Sequence, residues 1–567
     1  MKNKQTGRTY LSIVHSYRDK ETKKTRSKTI ESLGYLDELE KEYDDPIAFF
    51  EDKIKQMNQE FEAKKTPIQM TLDQDERIDS VSTNRKNLGY APLSQIYHEL
   101  NIHNFLKNRQ RHLKSNYDAN AIMKLLVFNR LLLPGSKKYA YENKELFFEN
   151  SNFSLDDVYR SLSFFTKHKN ALQLAIHHKI KEKYTRKTDL VYYDVTNYYF
   201  EIDEQDELRK KGVSKEHRPD PLIQIGLFMD TDGIPITYGL YPGNQLDKQT
   251  FIPMLGEIQR NFSLGRTVVV ADRGMTTGDN IWYTLSAKNG YVLSTTVRGA
   301  KKTFKDYVLD ESGYRSIGKD FKVKSRLEPR EIWVTSKNGK KIKKVVDEKQ
   351  VIFYSGKYAR KAKADRAAAI AKAKDLVNRP TKYNQSNAYG ASKYIKNLHF
   401  DKSTGEILTS ATQQISFDEE KLKKEEELDG YYAIVTSEYK ETDERIIEIY
   451  RGLWKIEETF KVTKSELSSR PVYLSREEHI EAHFLTCFIS LVIARILEKK
   501  LEGKYSVGKI LNSLKQASCS HIKENYYLFD YYDDILEAIH TKMGIDLGRK
   551  YLSQKEIKKI LADVKKG

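Results

Sequence analysis

Residues 192–201 read "YYDVTNYYFE", one aspartate, Asp194, set in a run of tyrosines with few other charges nearby. Tyrosine, valine and threonine suit a pleated, packed backbone, so the segment from "DLVYYDV" onward reads as a strand. A carboxylate costs free energy in such a strand unless the position is open and a cation balances the charge.

Outward from this strand come the short apolar runs "LIQIGLFMD" (222–230) and "GIPITYGLY" (233–241), followed by the helical "KQTFIPMLGEIQRNF" (248–262). Next are "RTVVVAD" (266–272), a helix around "GDNIWYTLSAKNG" (278–290) and "YVLSTTV" (291–297). The order β-β-β-α-β-α-β predicts an α/β fold, a mixed sheet with helices on it. Asp272 ends the apolar run "VVVAD", at the C-terminal edge of the fourth strand. If the first and fourth strands are neighbours, Asp194 and Asp272 project at the same edge. Active sites of α/β sheets gather beyond the C-terminal ends of parallel strands.

A third acid lies in "YRGLWKIEETFKVTK" (450–464), within a long helix expected from about 443 to 465. Tyr450, Glu457 and Lys464 are seven residues apart, so they share one face with only about 20° of drift per step. Glu458 points away and ranks second. A phenol, a carboxylate and an ammonium in one stripe suit a metal and a phosphate. Hard Mg²⁺ prefers oxygen ligands and takes a few carboxylates plus water and substrate phosphates. Two such ions activate a water or a 3′-hydroxyl and stabilise the leaving oxygen. Singly, an Asp at a strand end is commonly a cap, and a Glu among lysines a surface ion pair worth tenths of a kcal/mol. The order strand-Asp, strand-Asp, long basic insertion, helix-Glu is what sets this chain apart.

The chain has 567 residues, a size at which single cores split into several domains. Its formal charge of +18 favours a polyanionic partner, above all nucleic acid. Residues 299–397 hold 26 Lys/Arg and 10 Asp/Glu, nearly the whole excess, while 401–430 hold nine acids and four bases. The basic segment begins with strand-like "REIWVTS" and "QVIFYSG" and passes into the helical "KYARKAKADRAAAIAKAKDL". Residues 9–17 and 25–33 alternate about a charged turn, predicting a basic β-hairpin able to lie on DNA. From 90 to 186 the period is helical, with one helix in "DANAIMKLLVFNRLLL" stopped by "PGS" and another capped by Ser154 and Asp157. Residues after 475 read as mainly helical.

Two cysteines, Cys487 and Cys519, exclude a disulfide framework and a Cys-type zinc site. The N-terminus carries no apolar signal region, and "HFLTCFISLVIARIL" (483–497) is expected to be a core helix too short to span a bilayer. A cytoplasmic protein with no membrane partner is expected.

At these residues the chain resembles the DDE transposases of bacterial insertion sequences, in the group with a Tyr-x2-Arg-x3-Glu-x6-Lys signature. The likeness rests on "YYDVTNYYFE", "ADRGM" and Tyr450, Glu457 and Lys464, with "RPDPLIQIGL" and "GIPITYGLYPGN" between the aspartates. The N-terminal "GRTYLSIVHSYRD…ESLG" is also similar to one branch of that group. The resemblance implies an RNase H-like core, Mg²⁺ with Mn²⁺ as a substitute, and cut-and-paste transposition. It further implies Asp194, Asp272 and Glu457 as metal ligands and Tyr450 and Lys464 on DNA phosphates near the cleavage point; Lys461 is a further expected DNA-binding residue. Leu453 stands where the group has its arginine, and neither Arg451 nor Lys455 shares that face. Expected partners are terminal inverted-repeat DNA and target DNA, handled by a homodimer.

The divisions this implies are 1–85, hairpin and linker helix; 86–187, helical DNA-binding domain; and 188–298, first part of the core. Then follow 299–429, basic β-rich insertion; 430–500, the rest of the core with the Glu helix; and 501–567, a helical C-terminal region. Two rivals keep the same residues: an RNase H-like nuclease without strand transfer, and a non-catalytic DNA-binding relative.

In "EHRPDP" (216–221), His217 and Arg218 read either as a phosphate clamp or as a polar turn. His479 and His483 in "HIEAH" lack the zincin spacing and read as ordinary core or surface histidines. Trp333 reads as a packed strand residue in preference to a base-stacking one. No phosphate-binding Walker loop is present, so no ATP requirement is expected.

Overall fold

The computed structural model describes residues 8–18, 25–63, 70–71, 75, 77, 84–111, 113–114, 116–216, 218–262, 264–400, 406–407, 415–470 and 472–566. They form two compact units, 1–80 and 81–567. In the first, Tyr10–Arg18 and Thr25–Tyr35 pair antiparallel as the expected hairpin, and a helix follows at Pro46–Ala63. The charged turn at 19–24 lies outside the described residues.

The second unit is built on a nine-stranded mixed sheet. Its strands are β1 (Leu190–Tyr199), β2 (Leu222–Met229), β3 (Pro235–Pro242), β4 (Val268–Ala271) and β5 (Gly290–Thr295). The sheet is completed by β6 (Arg315–Ser316), β7 (Phe321–Thr335), β8 (Lys341–Ser355) and β9 (Tyr431–Thr436). The spatial order is β3-β2-β1-β4-β5-β9-β8-β7-β6. Only β1–β4 and β4–β5 are parallel; every other pair is antiparallel.

The helices that matter here are α1 (Ala119–Leu132), α2 (Leu155–Lys167), α3 (Asp247–Phe262), α4 (Gly278–Ser286) and α5 (Gly356–Asn378). After β9 come α6 (Asp443–Arg451), α7 (Trp454–Lys464) and α8 (Glu477–Lys500). Both faces of the central strands are covered, which is why their sequences are continuously apolar. Val191, Tyr193, Val195, Val269 and Ala271 meet Phe251, Met254 and Ile258 of α3 and Ile281 of α4. Tyr192, Tyr198, Ile223, Leu227 and Val270 share the other core with residues of α6, α7 and α8.

Helices α1 and α2 belong to that same core and the same compact unit as the sheet. The Ser154–Asp157 capping box forms at the start of α2. Helix α8, at 24 residues, is long and apolar enough to cross a membrane, contrary to the expectation of a segment too short for that. Its residues from Leu485 to Leu497 are buried inside the protein, with neighbours on every side, as in a core helix.

Four further readings change. The single helix expected over 443–465 is two, α6 and α7, broken at Gly452 and Leu453. The hydroxyl of Tyr192 reaches the carbonyl of Ile449 there, and a Cβ on Gly452 would stand 1.9 Å from that hydroxyl oxygen. The basic segment contributes its strands to the main sheet, with β8 pairing to β9. In β7, Ile332 and Val334 point into the core with α3 and α4, so Trp333 between them points outward and is 59% exposed. Residues after 475 also supply strands, Ser518–His521, Tyr526–Phe529 and Tyr551–Ser553, which form a small antiparallel sheet with Arg85–Asn87.

Candidate active site

Strand β4 runs parallel to β1 in the register Tyr193 to Ala271, and there β4 ends. The next residue on each chain is an aspartate, Asp194 and Asp272. Strand β1 continues to Tyr199, paired with β2, so Asp194 is a mid-strand residue exposed to the gap that its neighbour's end leaves.

Asp272 is exposed and caps a short turn, its Oδ1 accepting from Arg273 N at 2.7 Å and from Ser294 Oγ of β5 at 3.0 Å. Asp194 is half-buried, and its Oδ1 accepts from Val195 N at 2.7 Å. Burial, the largest influence, pushes its pKa up to about 6. The negative charge of Asp272 pushes the same way, while Lys215 and the Val195 N–H oppose it.

The third acid comes from the helical layer. Tyr450, at the end of α6, brings its hydroxyl within 3.5 Å of Asp272 Oδ1, and burial first of all raises that phenol to about 12. Glu457, in α7, is exposed, lies close enough to Tyr450 to influence its titration, and makes no hydrogen bond or ion pair among the described residues. Glu458 turns away to Arg495 of α8, 3.6 Å distant. The break before α7 puts Tyr450 and Glu457 on different helices, and Tyr450 alone of the two contacts Asp272.

Lys461 is exposed one turn beyond Glu457. Lys464 lies 3.4 Å from Glu216, and its ammonium is destabilised chiefly by burial. His217 lies outside the described residues. Arg218 is stacked over Tyr199 at 4.1 Å, five residues past Asp194 and so roughly 16 Å along the strand, away from the acid pair. Leu453 is buried; Arg451 lies over Phe321 at 5.2 Å, and Lys455 donates to the Thr231 carbonyl at 2.5 Å.

His483 is buried between Lys137 and the Ser469 carbonyl, and His479 packs near the Tyr159 ring. Lys215, Glu216 and Arg470 stand beside the site and were not legible as part of it. Lys215 and Glu216 lie in the charged run "SKEHR" (214–218), while Arg470, in "SSRPV" (468–472), carries no such local signal.

Among the described residues, no group of three or more His, Cys, Asp or Glu side chains is gathered tightly enough to hold a metal ion. Asp194 and Asp272 follow paired residues on neighbouring strands, close enough for the charge of Asp272 to act on Asp194. Two carboxylates that leave room for water and phosphate oxygens are a donor set suited to Mg²⁺, so the pair fits a hard divalent cation.

Residues 1–68 match the IS1634 family transposase N-terminal domain, and residues 202–493 match the transposase DDE domain. The second match takes in Asp272, Tyr450, Glu457 and Lys464 and begins after Asp194. No curated protein matches the chain. Among solved structures, a piggyBac transposase synaptic complex with hairpin DNA is similar at 10% identity and a TM-score of 0.36, over 84% of this chain and 85% of that one. A Mos1 transposase paired-end complex with the left transposon end shares 15% identity at a TM-score of 0.14, over 32% of this chain and 58% of its own. A Mos1 mariner paired-end complex with Mn has the same identity and TM-score, over 31% and 59%. At such scores the structural likeness supports no inference for this chain.

Proposed function

The chain belongs to the DDE transposases of insertion sequences, and on that premise we propose that Asp194, Asp272 and Glu457 are the catalytic carboxylates of a metal-dependent, cut-and-paste transposition. The observation that carries this reading is the adjacency of Asp194 and Asp272 in register on two parallel strands, at the point where one of them ends. The core is then RNase H-like, with the long β7–β8 hairpin inserted before the glutamate.

Asp194, Asp272 and Glu457 would hold the cation. Held there, a divalent cation such as Mg²⁺ or Mn²⁺ would supply activation of a water or 3′-hydroxyl and neutralisation of charge on the leaving oxygen. The protein's own residues do the rest. Asp194 is ionised above pH 6 and accepts a hydrogen bond from Val195 N, which fixes its carboxylate. Tyr450 and Ser294 hold Asp272 in place. Lys464 and Lys461 project from the same helix as Glu457 and bind DNA phosphates, which positions the scissile bond. Cleavage at each element end frees a 3′-hydroxyl, which attacks a phosphodiester of target DNA; the attacked bond's own 3′-oxygen leaves. A homodimer handles the two ends together, and residues 86–187 with the basic hairpin read the terminal inverted repeats.

The test is incubation with DNA carrying the flanking inverted repeats, with Mg²⁺, Mn²⁺ or EDTA, the products being read on a sequencing gel. The expected result is divalent-ion-dependent cuts at the element boundary and strands joined to a second DNA. Cuts without joining would favour a nuclease, and binding without cuts a non-catalytic relative.

A further inference from the structure

Along β1 from the carboxylate pair, two cations converge on a single acid, and a third stands next to it in sequence. Glu216 Oε1 accepts from Arg470 Nη1 and lies 3.4 Å from Lys464 Nζ. Lys215, the adjoining residue, donates its Nζ to the carbonyl of Val195, next to Asp194, and is close enough to Lys464 to disfavour that ammonium's charge. The second tyrosine pair of "YYDVTNYYFE" carries these groups: Lys464 lies over the ring of Tyr198 at 5.3 Å and Arg470 over that of Tyr199 at 5.8 Å.

Arg470 is held from behind. Arg130, buried in α1, donates to the carbonyls of Leu467 at 3.0 Å and Ser468 at 3.1 Å, and buried His483 contacts that of Ser469 at 3.1 Å. Ser469 Oγ bonds back to Thr463 O at 2.7 Å. The loop is therefore tied to the core, and its guanidinium is aimed before any ligand arrives. Burial alone would raise Glu216, yet Arg470 and Lys464 outweigh it and hold the carboxyl below its usual range. The group consists of Arg470 and Lys464 on Glu216, with Lys215 reaching back to the Val195 carbonyl. Two of them point at one oxygen, the arrangement that a phosphate oxygen also satisfies.

We propose that Lys464, Arg470 and Lys215 form a phosphodiester clamp that runs along β1 from the catalytic pair towards Tyr199, in which Glu216 fills the place of a DNA phosphate until DNA displaces it. This rests on the reading of the chain as a DNA-cleaving transposase and adds Arg470 and Lys215 to its DNA-binding residues. Glu216 then acts as an internal competitor: it keeps the cations ordered and disfavours weak, non-specific duplex binding.

The experiment is a salt series of binding to end-carrying and unrelated duplex DNA, using the full chain and the variants Glu216→Gln, Arg470→Ala and Lys215→Ala. Glu216→Gln should bind both DNAs tighter, by about 10-fold, the scale of one charged hydrogen bond. Arg470→Ala and Lys215→Ala should weaken binding by a similar factor, each flattening the slope of log K against log salt by about 0.9. In Arg470→Ala, the gain from Glu216→Gln should shrink. Melting curves identify any variant that misfolds, and Glu216→Gln, which keeps the side chain's shape, still decides the matter. If wild type binds DNA with a steep salt dependence and Glu216→Gln binds equally or more weakly, the clamp is wrong and the transposase reading stands. If wild type binds neither duplex, both fall.

Discussion

Asp194 is one carboxylate in a packed strand, and its cost is legible in its proton affinity. With its folded pKa near 6 against the ordinary 3.8, the folded chain keeps a proton between about pH 4 and 6 that the unfolded chain has lost. Stability contributed by this group therefore falls as pH rises through that window and stays lower above it. Asp194→Asn removes the penalty while Asn Oδ1 still accepts from Val195 N. In EDTA the variant should be more stable than wild type by about 1–2 kcal/mol at pH 8, after allowance for partial solvent access, and no more stable at pH 4. Denaturant curves at the two pH values measure this, and equal differences at both would contradict the assignment. Its place in a strand could be read from sequence, from the tyrosines and valines around it. Lys215 and Arg470 could not, since each looks like a routine surface charge until the fold sets it beside Glu216.

At the scale of elements, what mattered was which strands are neighbours and where each ends. The apolar runs gave β1 and β4 directly, and the β-β-β-α-β-α-β order was readable from alternating texture. The break between α6 and α7 was not, because its cause lies elsewhere in the chain: Tyr192, whose hydroxyl meets Ile449 257 residues later. Gly452 leaves room for that hydroxyl. Gly452→Ala should therefore destabilise the protein by about 1–3 kcal/mol, the usual cost of overpacking a filled site. Tyr192→Phe in the same background removes the oxygen in the way and should recover part of the loss. Denaturant unfolding of the single and double variants checks this; a fully stable Gly452→Ala would mean that the two helices are joined by a looser turn. Trp333 faces outward for a related reason: alternation fixes which strand residues share a face but not which face the rest of the protein covers.

Across the whole molecule, the charge pattern pointed to a polyanionic partner before any fold was known. Much of the basic segment is tied into the structure. Arg366 of α5 pairs with Asp429, Lys393 with Glu425 at 3.3 Å, and Lys349 with Asp443 at 2.9 Å. The acids of 401–430 thus neutralise part of the excess locally, a pairing that composition could suggest only as neighbouring blocks of opposite sign. What gives the molecule its proposed activity is the convergence of distant segments: β1 near 194, β4 near 272 and α6–α7 near 450–464. The most direct test of that convergence is the rate of boundary cleavage in Mg²⁺ by wild type and Asp194→Asn, with end-DNA binding measured in the same samples. The account predicts binding within a factor of about 3 of wild type and cleavage reduced by at least about 10³-fold, the scale on which removing one essential electrostatic group slows an enzyme. Cleavage by Asp194→Asn at the wild-type rate would contradict it.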